Sequence, residues 1–480
     1  MTASAADTLI FNVQPQPDGA YCLWAGVQGA RAVAVEHAEG EGAPWSVHVP
    51  AKADRTFVPL TSPESSYRLR LRWEAPDGAE QVSAEVIVRM RERRWPEWLE
   101  RTRKIPFSKI VRFNAWHRFA RFCARAPAGS VTTLAGDSVD WTDPEVPNGF
   151  YQTRGTRLVL ARALSGRLEA QPTHPAEAVR RVARSLVWRT EPLPALAVRF
   201  EAPVREDQRK AYSASGSVLE LMPGVRSRIV RFLPRSRSVA RTAIYHEGHT
   251  GAGVDIGWET VHWLLERGWA VYCVDMPLCG LNKPDAGGAL LNHNDMAGLE
   301  RVGQLHPMAL MVDPVRWVVD RISEECGTSQ PLLFVGRSGG GLMAYLYAAL
   351  DPRVNGAVSI AGGVPLSQRL EGSNGDVGDY EQFAPGFFDL VRHEDLMLAA
   401  ARSGLAMVFN EHDPDCFALR KGHPLGDYLA AEASRAGARL RFFIDPSHRG
   451  HSLGPQGRQV VQEFVAGFEH AQAAVPGRVS

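Results

Sequence analysis

The chain has 480 residues, 45% hydrophobic and 22% charged, with a formal net charge of +1. That length is enough for two or three domains with ample core, and the composition is that of a globular protein. The balanced charge gives no global pull toward nucleic acid or an acidic surface, and no apolar run approaches the ~20 residues that a membrane span needs.

Residues from about 8 to 90 read as β structure. Short apolar or alternating runs occur at Ile10–Val13, Ala32–Val35, Trp45–Val49, Tyr67–Trp73 and Glu85–Arg89. Pro17-Asp18-Gly19 and Pro76-Asp77-Gly78 punctuate them as turns. A β-rich, sandwich-like domain over 1–95 is expected. It could bind a glycan or a protein, but packing on the next domain is the simpler reading.

From 89 to 126 arginines and lysines are dense, among them Arg93, Arg94, Arg101, Arg103 and Lys104. Trp95, Trp98, Phe107, Phe113, Trp116, Phe119 and Phe122 interleave with them. A basic amphipathic helix of this kind can lie on an anionic membrane or touch nucleic acid. The preferred reading is a connecting helix with its aromatic face buried. Nucleic acid is not expected as a partner, and peripheral membrane contact through 89–126 is the secondary expectation. Residues 96–195 are read as a helical and irregular connecting region, with a helix over Pro175–Leu186. Pro192, Pro194 and Pro203 mark the start of a domain spanning 196–480.

The C-terminal half alternates in type. Strands are expected at Thr242–Tyr245, Gly268–Asp275, Leu332–Val335, Gly356–Ala361, Leu405–Phe409 and Arg439–Ile444. Helices are expected at Gly257–Arg267, Pro314–Glu325, Leu342–Leu350, Phe387–Ser403, Asp427–Ala436 and Gln456–Phe468. Such alternation predicts an α/β class with a mostly parallel sheet covered on both faces. Ligands in these sheets bind beyond the carboxyl ends of the strands.

One segment carries chemistry. Leu332–Val335 runs into Gly336-Arg337-Ser338-Gly339-Gly340 and then a helix. This G-x-S-x-G pattern lifts a serine hydroxyl on a sharp strand-to-helix turn, with glycines where side chains would clash. A serine nucleophile needs a base, and the base an orienting carboxylate. The strand ending at Phe409 is followed by Asn410-Glu411-His412-Asp413-Pro414-Asp415. The strand ending at Ile444 is followed by Asp445-Pro446-Ser447-His448-Arg449-Gly450-His451. Both loops leave carboxyl ends of strands, in the order serine, acid, histidine.

With these pieces, about residues 200–475 resemble the α/β-hydrolase fold. The resemblance rests on Gly336–Gly340, the strand and turn Gly268–Gly280, the acid loop and Gly450-His451. It implies Ser338 as nucleophile, His451 as base and Asp413 as acid. His448 stays open as an alternative base, and Glu411 and Asp415 as alternative acids. It also implies an oxyanion hole made by the N–H of Gly339 and one from His246-Glu247-Gly248-His249, supplied by Gly248 or His249. Glu247 there replaces the usual histidine. A Ser-His-Asp serine hydrolase acting on an ester, thioester or amide follows, most simply an esterase or deacylase on a small-molecule or acylated substrate. A peptidase, an acyltransferase and a non-catalytic binding protein are the alternatives.

This chemistry needs no cofactor. A zinc reading of His246-Glu-Gly-His249 is disfavoured, because the two histidines are three apart in a glycine-rich turn and do not form H-E-x-x-H. The insertion Val364–Ser403, with Phe383, Phe387 and Phe388, is placed where a small cap could line the cleft, packing being the simpler role. The six cysteines (Cys22, Cys123, Cys273, Cys279, Cys326 and Cys416) are scattered without a C-x-x-C pair. They read as thiols of a reducing cytoplasm, and the first ten residues lack the pattern of a signal peptide.

Overall fold

The computed structural model describes most of residues 9–90, the short segments 131–132, 138–141 and 166–170, and residues 173–188, 196–200 and 211–473. Short stretches such as 236–240, 250–256, 284–292 and 366–378 are outside it. The basic-aromatic stretch expected to be helical lies outside the described residues from 91 onward, as does Asp415. No described helix is long and apolar enough to cross a membrane. The chain divides into two compact units. One comprises 1–129, 143–182 and 385–395, and the other 130–142, 183–384 and 396–480.

The first unit is built from β1 (Ile10–Gln16), β2 (Gly19–Ala25), β3 (Arg31–Glu39), β4 (Ser46–Pro50), β5 (Arg55–Pro59), β6 (Ser66–Glu74), β7 (Glu80–Val82) and β8 (Val86–Met90). Two short strands of the second unit follow in the chain, β9 (Val131–Thr132) and β10 (Ser138–Trp141), and then β11 (Gly166–Ala170) returns to the first. One sheet runs β1-β2-β5 and the other β11-β8-β6-β3-β4, with β7 on β6. β6 shows why the pattern folds this way. Tyr67, Leu69, Leu71 and Trp73 are buried while Arg68, Arg70 and Arg72 between them are not. Phe11, Val13, Cys22, Trp24 and Val58 of one sheet share a single core with Val35, Leu69, Leu71 and Val86 of the other. This is the sandwich-like packing that the alternation predicted.

Among the described residues the second unit is organised by a nine-stranded sheet. Along the chain, helix α1 (Ala176–Val187), whose residues up to Val182 belong to the first unit, precedes β12 (Leu196–Phe200), β13 (Tyr212–Met222), β14 (Val225–Pro234) and β15 (Thr242–His246). Then come α2 (Trp258–Glu266), β16 (Ala270–Val274), β17 (Leu299–Val302), α3 (Ala309–Cys326), β18 (Leu332–Arg337) and α4 (Gly339–Leu350). The chain finishes with β19 (Gly356–Ile360), α5 (Tyr380–Phe383), α6 (His393–Ala401), β20 (Leu405–Asn410), α7 (Pro424–Arg435), β21 (Leu440–Asp445) and α8 (Pro455–Ala473).

The sheet order is β12-β13-β14-β16-β15-β18-β19-β20-β21. β13 and β14 form an antiparallel hairpin, β14 is antiparallel to β16, and every pair from β16 to β21 is parallel. From β13 onward this is the strand order of the α/β-hydrolase fold, with β12 added at the edge. The parallel strands β15, β16, β18, β19 and β20 are buried along almost their whole length, because helices cover both faces. On one face Leu333 and Val335 join Val261 and Leu264 of α2 and Val465 of α8 in a common core. On the other, Phe334 meets Tyr347 of α4 at 6.2 Å between ring centres.

Two expected helices differ in extent. α3 begins at Ala309 and carries Pro314 inside it, where the expectation had Pro314 at its start. A proline in a helix's second turn loses one backbone bond, and burial of Leu310, Met311 and Val315 offsets that cost. α6 begins only at His393. Phe387 and Phe388 instead pack edge to face in a turn at 5.1 Å, and Phe388 stacks on His393 at 3.9 Å. In the first unit, then, these aromatics of the cap insertion are packing residues.

Candidate active site

Ser338 stands between β18 and α4 with φ 57° and ψ −129°, a backbone state that L side chains rarely adopt. The flanking glycines allow it. A Cβ on Gly336 would lie 1.9 Å from the carbonyl oxygen of Gly340, and one on Gly340 would lie 2.0 Å from that of His246. The turn is pinned by the Ser338 N–H donating to the Ile360 carbonyl on β19 at 2.8 Å. Gly339 opens α4, so its N–H has no acceptor inside the helix.

The two loops expected to supply acid and base meet. His451 Nδ1 lies 2.7 Å from Asp413 Oδ2, with the Asp413 side chain fully buried and that of His451 13% exposed. A carboxylate accepts, so Nδ1 carries the proton and Nε2 is left as the basic nitrogen of the ring. Asn410, at the end of β20, donates Nδ2 to the carbonyls of Gly450 and Ser452 at 2.7 and 2.8 Å. It holds the backbone on both sides of His451.

His448 is occupied differently. Its Nε2 meets Ser452 Oγ at 3.0 Å and its N–H donates to Asp445 Oδ1 at 3.1 Å, so it ties the loop together. Glu411 contributes a backbone N–H to the Asp445 carbonyl at 2.9 Å.

The loop after β15 lies against the serine. A Cβ on Gly248 would stand 2.6 Å from Ser338 Cβ and 3.1 Å from its Oγ. Glu247 is fully buried. Its Oε1 accepts from the Gly248 N–H at 3.0 Å and from Arg337 Nε and Nη2 at 2.8 and 2.7 Å. Its Oε2 accepts from the Tyr245 hydroxyl at 2.8 Å. Arg337 also donates Nη1 to the His451 carbonyl at 3.1 Å. The residue between Gly336 and Ser338 thus ties the serine turn to the loops of Glu247 and His451. Sequence reading registered Glu247 as a departure from the family and passed over Arg337. Their opposite charges at two loops of one site were the signal that could have joined them.

His246 donates Nδ1 to the Glu247 carbonyl at 2.8 Å, and among the described residues its Nε2 has no hydrogen-bond partner. Burial lowers its pKa to about 4, so the ring is neutral near pH 7.

His249 faces a second group of polar side chains. Its Nε2 lies 3.2 Å from His293 Nε2, 3.2 Å from Glu381 Oε2 and 3.4 Å from Asp379 Oδ2. Burial alone would raise the Glu381 carboxyl, but the two histidines beside it hold it well below the usual range. This group adjoins the serine turn, because a Cβ on Gly339 would meet Glu381 Oε1 and His249 Cε1, each at 2.9 Å. Sequence reading missed His293 and treated Glu381 only as part of the cap insertion. Neither stands near His249 in the chain.

No family model and no curated protein matches this chain. Solved structures similar to it include acetyl xylan esterase 1 from Thermoanaerobacterium sp. JW/SL YS485, at 16% identity and a TM-score of 0.43, covering 60% of this chain and 92% of that one. Glucuronoyl esterase from Solibacter usitatus is 12% identical with a TM-score of 0.44, covering 72% and 99%. An acetyl xylan esterase from Paenibacillus sp. R4 is 16% identical with a TM-score of 0.41, covering 61% and 92%. It is the molecule's own strand order, with a serine turn after the fifth strand counted from β13, that gives the second unit the α/β-hydrolase fold.

Proposed function

We propose that this protein is a serine hydrolase of carboxylic esters. Ser338 attacks the carbonyl carbon, and His451 Nε2 accepts the hydroxyl proton. Asp413 holds the imidazole through Nδ1 and stabilises its cation. The oxyanion is received by the N–H of Gly339, at the start of α4, and by that of His249. The Gly248 N–H is the poorer second donor, because it is already directed at Glu247. His451 then returns its proton to the leaving alcohol, water attacks the acyl-enzyme with the same base, and the acid is released.

The observation that carries the reading is the pairing of His451 with Asp413 at 2.7 Å on loops leaving the same sheet edge as the serine turn. It is reinforced by Arg337, which joins that turn to the His451 loop. The backbone state of Ser338 points the same way, since a strained serine with no chemical task would be costly to keep.

A fluorophosphonate probe tests the proposal. Wild type should be labelled, with labelling lost in Ser338→Ala and His451→Ala and strongly slowed in Asp413→Asn. Glu411→Gln should label at a rate near wild type, and His448→Ala, which loosens the loop but leaves the base, should be slowed far less than His451→Ala. A folded wild type that never labels would overturn the reading. A Glu411→Gln variant slowed as much as Asp413→Asn would move the acid.

A further inference from the structure

Three side chains from three separate segments converge beside the serine turn. His249 follows β15, His293 lies between β16 and β17, and Glu381 sits on the short helix α5. Their facing atoms, His249 Nε2, His293 Nε2 and Glu381 Oε2, form a triangle with sides of 3.2, 3.2 and 2.8 Å. The Glu381 side chain is fully buried, and those of His293 and His249 are 3% and 21% exposed.

Hydrogen bonding alone satisfies this triangle poorly. If both nitrogens carry protons, two N–H groups crowd each other at 3.2 Å. If either does not, its lone pair faces the carboxylate. One side of the triangle is unfavourable in each case.

A cation removes the conflict, since all three atoms then direct lone pairs at one centre. The triangle's circumradius is about 1.8 Å, so an ion at ordinary zinc–nitrogen and zinc–oxygen distances of about 2.0–2.1 Å would sit about 1.0 Å off its plane. That is the base of a four-coordinate site with one position left for water, substrate or Asp379.

The surroundings fit this use. Cys279 Sγ lies 2.8 Å from His293 Nδ1, so the sulfur engages the far nitrogen and holds the ring with Nε2 toward His249 and Glu381. Gln382 Nε2 donates to Glu381 Oε1 at 3.1 Å, which turns Oε2 toward the histidines. Among the described residues His249, Cys279 and His293 also have ligand atoms within 4.8 Å of one another. The sulfur, however, faces the far nitrogen of His293, and we read it as holding the ring.

We infer that His249 Nε2, His293 Nε2 and Glu381 Oε2 bind one divalent cation of the zinc class beside the serine turn. The presence of the site does not depend on the hydrolase reading. Its meaning for catalysis does, because Gly339 lies between Glu381, His249 and the serine.

The test is titration of metal-stripped full-length protein with zinc by calorimetry and with cobalt(II) by visible absorption. Wild type and Ser338→Ala should each take up one equivalent with d–d bands of a four- or five-coordinate ion. Glu381→Gln and His293→Ala should bind at least about tenfold more weakly, with circular dichroism confirming the fold. Should either variant fail to fold, His249→Gln replaces it. No stoichiometric uptake by wild type would overturn the inference, as would uptake unchanged in the variants. A thiolate-to-cobalt charge-transfer band would transfer the ion to Cys279 and overturn the ligand set. Fluorophosphonate labelling reads the serine separately, so failure of one reading is distinguishable from failure of the other.

Discussion

Replacing Arg337 by methionine isolates what the buried Arg337–Glu247 pair contributes. The variant keeps an unbranched apolar stem and removes the guanidinium. Glu247, whose side chain is fully buried, would lose the guanidinium donors of Arg337 and keep the Tyr245 hydroxyl and the Gly248 N–H. Breaking a buried pair by removing one partner costs about 3–5 kcal/mol, most of it the penalty of an uncompensated charge. The Glu247→Gln variant should cost somewhat less, because the Arg337 side chain is 14% exposed and can draw on water. In the double variant neither charge remains, so the cost should fall below the sum of the singles by at least about 2 kcal/mol. Hydrogen exchange of the β15 and β18 amides under increasing urea would measure this within the second unit. Labelling by the fluorophosphonate should slow in Arg337→Met as well, because the bond to the His451 carbonyl is lost. A cost below about 1 kcal/mol, or costs that simply add, would refute the claim that this pair organises the site.

Gly340→Ala should destabilise by about 3 kcal/mol or more, since its Cβ would fall 2.0 Å from a backbone oxygen that has little room to move. Urea denaturation checks this, and an unchanged midpoint would contradict it. Asn410→Leu leaves the carbonyls of Gly450 and Ser452 without this donor and should cost about 1–3 kcal/mol while slowing labelling. Wild-type stability and labelling in that variant would show that His451 needs no such support. His246 has a folded pKa of about 4 against an ordinary 6.5, so the unfolded chain binds its proton first as pH falls. Its contribution is complete above about pH 6.5 and declines toward pH 4, a loss of about 3 kcal/mol at the low end. His246→Asn should flatten that part of the stability–pH curve; parallel curves for the two proteins would exclude His246 as the source.

The periodic parts of the molecule were legible before any coordinates. The parallel strands are continuous apolar runs because helices cover both of their faces, and β6 alternates because one face is a core and the other is not. Ser338 was legible for a different reason, since only glycine fits where Gly336 and Gly340 meet neighbouring backbone. Long-range pairing was not legible. β13 and β14 carry mixed stretches such as Tyr212-Ser-Ala-Ser-Gly-Ser and Val225-Arg-Ser-Arg, which do not form a continuous apolar run. The same holds for side chains. His293 and Glu381 are 44 and 132 residues from His249, and nothing local marks them as its partners. Asn410 illustrates the middle case. Its place at the end of β20 was evident, but its task of holding two carbonyls depends on a loop 40 residues away.

The glycine contacts at the serine turn bear on how mechanical error propagates. Gly336 touches the carbonyl of Gly340, Gly340 touches the carbonyl of His246, and Gly341 touches Gly362. Main chain lies directly on main chain across these junctions, so no rotamer stands between the sheet and the serine. A side chain that repacks elsewhere in the core can shift its neighbours by tenths of an ångström, yet here such slack has nowhere to accumulate. The position of the Ser338 hydroxyl is therefore inherited from backbone geometry, which leaves the side chains around the cleft free to diverge without loosening it.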